Sequence, residues 1–145
     1  MAAQALSDFL EDKILDLFTG NNITAPTNLW VGLFTTMPGD TGSGGAPSDG
    51  TEATGNGYAR VSVGTIASWL SAKSTVNSTQ RHRTSANTLT FPTASGAWGG
   101  NIIGWGVWDA STAGNLWFYS TTTSFAVING MTPSIAVGGV DIGVD

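Results

Sequence analysis

Residues 29–36 read Leu29-Trp30-Val31-Gly32-Leu33-Phe34-Thr35-Thr36. Leu29, Val31 and Leu33 alternate with Trp30, Gly32 and Phe34, a period of two that sends successive side chains to opposite faces of a strand. Segments of the same kind recur at 58–63 (with 65–70 as a continuation), 88–91, 102–108, 115–121, 125–128 and 134–140. Gly- or Pro-containing turns separate the later ones at 92–100, 109–114 and 129–133, and Asn129-Gly130 is a good tight-turn pair. Short strands at this spacing, with no helical pattern between them, predict a mainly β fold. The expected architecture is a single antiparallel β-sandwich or barrel-like domain over residues 23–145.

Upstream of that domain, residues 1–22 carry the one helical pattern. Leu6, Phe9, Leu10, Ile14, Leu17 and Phe18 return at helical spacing and make one apolar stripe. Ser7 suits the N-cap, Asp8 suits the positive end of the helix dipole, and Gly20 with Asn21, Asn22 and Pro26 supplies the stop. A helix this short is marginal alone in water, so the stripe must pack on something: its own β domain or a neighbouring subunit. Leu6, Phe9, Leu10, Ile14 and Leu17 are therefore candidate interface residues. Between the first two strands, residues 37–57 offer almost nothing to bury and read as a long Gly/Ser-rich surface loop, of a length that is usually functional or disordered.

The chain has 145 residues, which suits one domain able to form its own core. With no cysteine, disulfides and thiolate zinc sites are excluded, which fits folding in a reducing cytoplasm. Five Lys+Arg stand against ten Asp+Glu, for a net charge of -5, so little is available to hold a nucleic-acid backbone. No run reaches the roughly 18 apolar residues of a membrane span. Asp8, Glu11, Asp12 and Asp16 interrupt the N-terminal apolar residues, which argues against a secretory signal. Solubility must rest on Ser, Thr, Asn and Gly. A lightly charged surface with six Trp suits protein–protein contact, and Trp98 is a candidate interface residue; the alternative is that the Trp residues fill the core.

Residues that carry chemistry are sparse. His82 is the single histidine and sits between two arginines in the polar stretch 71–87, a surface-loop context rather than a general-base one. The nucleophile elbow, the paired-histidine zinc motif and the P-loop do not occur. Asp40, Asp49, Glu52 and Asp109 could in principle pair as acid and base, yet all lie in or beside Gly-rich turns, where Asp is an ordinary turn residue. Asp40 and Asp49 lack the dense alternation of a calcium loop. No catalytic residue, metal or cofactor is expected. Lys73, Arg81, His82 and Arg83 form a basic cluster, either a solvated loop or an electrostatic contact for an acidic partner surface. The helix of a neighbouring copy, net -3 from Asp8, Glu11, Asp12, Asp16 and Lys13, would suit.

Several segments together carry a resemblance. They are Ser-Asp-Phe-Leu-Glu-Asp-Lys-Ile-Leu-Asp at 7–16, Leu-Trp-Val-Gly-Leu-Phe-Thr-Thr-Met-Pro-Gly-Asp at 29–40 and Gly-Tyr-Ala-Arg-Val at 57–61. Phe-Pro-Thr-Ala-Ser-Gly-Ala-Trp-Gly at 91–99 and Ile-Gly-Trp-Gly-Val-Trp-Asp-Ala-Ser-Thr-Ala-Gly-Asn-Leu-Trp-Phe-Tyr at 103–119 are the most specific. In order along nearly the whole chain, these resemble a family of small tailed-bacteriophage virion structural proteins commonly labelled phage tail fibre protein. The resemblance implies a virion component, assembled in the host bacterial cytoplasm, with no family catalytic residue to carry over. The 71–87 stretch departs from the family by being longer and more basic. Fibres that reach a host usually show repeats or coiled coils, and this chain shows neither. The leading expectation is therefore a capsid cement or decoration protein that binds the major capsid protein lattice and stabilises the head. The alternative is a tail component (tail fibre, baseplate or tube-associated), possible contact with the host surface included. Self-association, for example as a trimer, is expected in either place.

Overall fold

The computed structural model describes residues 4–39, 50–65, 69 and 81–144. In chain order its elements are β1 (Gln4–Leu6), α1 (Asp8–Phe18), β2 (Leu29–Thr36), β3 (Thr51–Glu52), β4 (Val61–Gly64), β5 (Arg81–Thr84), β6 (Leu89–Thr90), β7 (Asn101–Trp108), β8 (Leu116–Ala126), β9 (Ser134–Ile135) and β10 (Asp141–Val144). The main sheet runs β1-β8-β7-β2, and the far edge of β2 is shared: β4 pairs with its Leu29–Val31 half and β3 with its Phe34–Thr36 half. Two short antiparallel ribbons, β5–β10 and β6–β9, complete a mainly β, sandwich-like fold. Among the described residues no barrel closes.

Register explains how the core is divided. Val31 pairs with Val107 and Leu33 with Trp105, so these four share one face of the sheet. They pack with Trp69, Leu89, Phe91, Trp98, Val127 and Val140 in the main core. The opposite face carries Phe34, Trp108 and Leu116, with Met37 and Tyr119 packed beside them. Glycine makes that second face possible. Gly32 pairs with Gly106, and Phe34 pairs with Gly104. A Cβ on Gly106 would stand 2.7 Å from Phe34 Cε2 and 2.8 Å from both Leu116 Cδ1 and Trp108 Cη2. The rings thus lie down on bare backbone. The period of two holds for β2 with both faces covered: its residues 31–34 are all buried.

The helix begins at its predicted cap: Ser7 Oγ accepts from Leu10 N–H at 3.3 Å. The same hydroxyl donates to Leu116 C=O, and Ser7 N–H donates to Trp117 C=O at 3.1 Å, so the cap is stitched to β8. Gly20 adopts φ +93, and Asn21 N–H closes back on Asp16 C=O at 2.9 Å, the six-to-one bond of a Schellman end.

Several boundaries differ from expectation for identifiable reasons. The N-terminal segment contributes β1 as well as a helix, paired to Phe118–Ser120. The predicted break between 121 and 125 is not a turn; β8 continues through it, and residues 122–124 oppose Ile103 alone as a bulge. The predicted strand at 134–140 keeps only Ser134–Ile135 as β9; residues 136–140 turn, with Gly138 at φ +74, and β10 begins beyond it at Asp141. The long loop predicted at 37–57 contains β3 and the buried Pro38 and Ala53; its residues 40–49 lie outside the described residues.

Candidate interaction surface

Where β3 and β4 part company on the edge of β2, the ladder is bridged by side chains. Leu33 N–H donates to the Tyr58 hydroxyl at 2.9 Å, and that hydroxyl donates to Glu52 Oε1 at 2.7 Å. Arg60 grips the same carboxylate with Nε at 2.8 Å and Nη2 at 2.7 Å, a bidentate pair. Its Nη1 donates to the carbonyls of Ala110 at 2.9 Å and Ala113 at 2.7 Å. The guanidinium lies over Trp108, 4.0 Å from the ring, and seals the second face. Burial pushes the Tyr58 phenol far above its ordinary range, and the Glu52 carboxylate adds to the shift. Every group in this cluster is engaged inside the fold. Asp109 is likewise engaged, accepting from Asn115 N–H at 2.7 Å and Nδ2 at 2.8 Å to close the β7–β8 turn. Asp40 and Asp49 lie outside the described residues.

The apolar stripe of the helix is only partly absorbed. Leu10 is buried, Leu6 and Ile14 are partly buried, and Phe9 meets Trp117 edge-on with ring centroids 5.5 Å apart. Trp117 is the extra residue of a second bulge, between the Val107–Phe118 and Trp108–Leu116 pairs. Beyond Ile14 the helix outruns its support. Leu17 is 57% exposed, Leu15 62% and Phe18 82%. At about 100° per residue, Glu11, Leu15 and Phe18 share a face turned away from Leu10. Leu15 was missed from sequence because it falls outside the single stripe; its signal was an apolar residue among Glu11, Asp12 and Asp16.

The basic cluster is placed in part. Lys73 lies outside the described residues, whereas residues 81–84 form β5, paired residue by residue with β10, instead of the expected loop. Arg83 is exposed there. Trp98, proposed from sequence for an interface, is 0% exposed. Its indole N–H donates to Asn56 C=O at 3.2 Å, and its ring meets Tyr58 edge-on at 5.2 Å. It is a core residue because the 91–99 segment folds under the sheet edge, with Phe91 and Ala94 buried beside it. Trp105 and Trp108 are buried as well, so these three rings form no exposed platform.

The described residues also line two concave features. A pocket of about 190 Å³ lies between the main sheet and the β6–β9 ribbon, lined chiefly by Leu33, Phe91, Trp105, Phe125, Pro133 and Ile135. A wider cleft of about 480 Å³ separates the helix from residues 22–27, with Phe9, Lys13, Asp109, Asn115 and Trp117 among its walls.

The polar network is thus spent on internal structure, and among the described residues the exposed large apolar side chains are Leu15, Leu17 and Phe18 on the helix with Ile128 and Val137 elsewhere. This is a small, mainly β, sandwich-like protein. The family described as Podophage GP4 fiber I protein gp80 matches residues 5–143, and the chain belongs to that family. It is a phage virion structural protein of the fibre type. No curated protein matches the chain.

Proposed function

We propose that this chain is a non-enzymatic tail component, a fibre subunit that works by binding other virion proteins. The observation that carries the proposal is the family match, which spans almost the whole chain and describes a fibre protein. It favours the tail alternative over the capsid-cement role that the lack of repeats and coiled coil had suggested. A bare helix end with Leu15, Leu17 and Phe18 in water supports a binding role, since large contiguous apolar exposure on a monomer marks contact sites. The engagement of Glu52, Tyr58, Arg60 and Asp109 in internal bonds supports a structural rather than catalytic use of those side chains. Immunogold labelling or cryo-EM localisation in intact particles tests the proposal. Label confined to the tail is the expected result. Density spread over the head lattice, lost together with heat resistance when the gene is deleted, would overturn it in favour of cement.

A further inference from the structure

The chain carries a knob and a hole of matching size on different surfaces. The knob is the outward stripe of the helix, where Asp8, Glu11, Leu15 and Phe18 follow at i, i+3, i+7 and i+10 and so line one face. Its apolar end is in water, with Phe18 82% and Leu15 62% exposed. The hole is the apolar pocket of about 190 Å³ beneath the β6–β9 ribbon. An apolar cavity of roughly 150 Å³ already accepts a benzene ring, so this pocket has room for a phenyl group.

Charge selects the occupant. Asp8, Glu11 and Asp12 have no ion-pair partner among the described residues; Lys13 is spent on Asp16 at 3.1 Å. The pocket, in turn, borders the basic strand. Gly139 lines it, and the flanking residues Gly138 and Val140 exchange backbone hydrogen bonds with Ser85 at 2.8 and 2.9 Å. Ser85 follows directly on β5, whose sequence is Arg81-His82-Arg83-Thr84. Even counting Asp141 opposite Thr84, this ribbon is net positive. The exposed Arg83 lies two residues from Ser85, about 7 Å along the strand. On the helix, Glu11 lies about 10 Å from Phe18.

We propose that the helix end of one copy docks on the next, Phe18 entering the apolar pocket and Glu11 meeting Arg83. The two patches are different surfaces of one chain, so the contact is heterologous. Copies add head to tail until a rotation closes them into a ring. The proposal concerns self-association and does not depend on where the particle carries the protein.

The test is sedimentation velocity of the purified full chain across a concentration series, with variants checked for a wild-type melting curve. Phe18→Ser removes the knob, and Thr122→Trp fills the pocket from its exposed β8 wall. Each variant alone weakens association by about tenfold or more. A one-to-one mixture of the two keeps one intact knob and one intact pocket, so it forms a heterodimer and stops there. Glu11→Arg and Arg83→Glu each weaken association, and the two together restore it. Should Thr122→Trp melt early, the charge swap with Phe18→Ser carries the test. A wild-type chain that stays monomeric into the hundreds of micromolar overturns the proposal. So does association indifferent to Phe18→Ser, or a double charge variant no better than either single one.

Discussion

The far face of the main sheet and the outer face of the helix both hold large apolar side chains outside the main core, and the molecule treats them in opposite ways. Phe34, Trp108 and Leu116 are at most 2% exposed. They lie on glycine backbone and are roofed by Arg60, itself held by Glu52 and two carbonyls. Leu15 and Phe18 have no roof, and the neighbouring side chains on their face are carboxylates. Burying a side chain of this size gains about 1.5–3 kcal/mol, a sum the isolated chain forgoes at Phe18. A sealed aromatic face therefore serves stability within the chain, whereas the bare one is the face proposed above for contact outside it. The following expectations break that contrast if they fail.

The largest effect belongs to the roof. Arg60→Met leaves the Glu52 carboxylate and the carbonyls of Ala110 and Ala113 short of their donor, and exposes Trp108. Arg60 is 7% exposed and Glu52 27%, so the loss lies at or below the roughly 3–5 kcal/mol of a fully buried pair. Arg60→Lys recovers only part, since an ammonium cannot bind the carboxylate side-on and cover the ring together. Chemical denaturation gives the numbers; a wild-type midpoint for Arg60→Met would mean that the second face is sealed by packing alone.

Alkali tests the same cluster through Tyr58. Its folded pKa is raised above the unfolded value of about 10, so the unfolded chain loses the phenolic proton first. Stability from this group is complete below pH ~10 and falls as the pH climbs beyond it, by about 1.4 kcal/mol per unit. Denaturation midpoints measured on either side of that pH show the slope, and Tyr58→Phe removes it. A slope that persists unchanged in Tyr58→Phe assigns alkaline unfolding to other groups.

Gly106→Ala tests the floor. The added methyl would press on Phe34, Leu116 and Trp108 at 2.7–2.8 Å. Forced overpacking of this kind costs about 1–3 kcal/mol. A melting temperature equal to wild type would show that the rings can lift, and that the second face is looser than its burial implies.

What the sequence disclosed follows from range. The cap at Ser7, the stop at Gly20 and the period-two runs at 29–36 and 102–108 are local signals, and each became the expected element. Strands β3, β5 and β10 were not legible, because two to four residues acquire strand geometry only from a distant partner. Lys73, Arg81, His82 and Arg83 read as a loop since nothing local reveals that 81–84 would pair with 141–144. Trp98 looked free for a partner, and Glu52 looked like a turn residue. Their roles depend on Asn56, Tyr58 and Arg60 converging on the same edge, which no spacing announces. The two-faced burial of β2 was not legible, because Gly32, Gly104 and Gly106 become room for rings only once the two strands pair.

The smallest expected effect is the sharpest test of the contrast. Phe18→Ser should change the stability of the isolated chain by no more than about 0.5 kcal/mol, the range of ordinary surface substitutions. Trp108→Ala, also the loss of one aromatic ring, should cost about 3–5 kcal/mol. Both are measured by denaturant unfolding at dilution low enough to keep the chain monomeric, because any self-association would add stability by mass action and mask the comparison. If Phe18→Ser cost more than about 1 kcal/mol there, well outside the surface range, the helix end would be packed within the single chain. Leu15 and Phe18 would then belong to the fold, and the bare face would lose its claim to be a contact surface. A near-zero cost at dilution that grows with protein concentration would locate the burial of Phe18 between molecules.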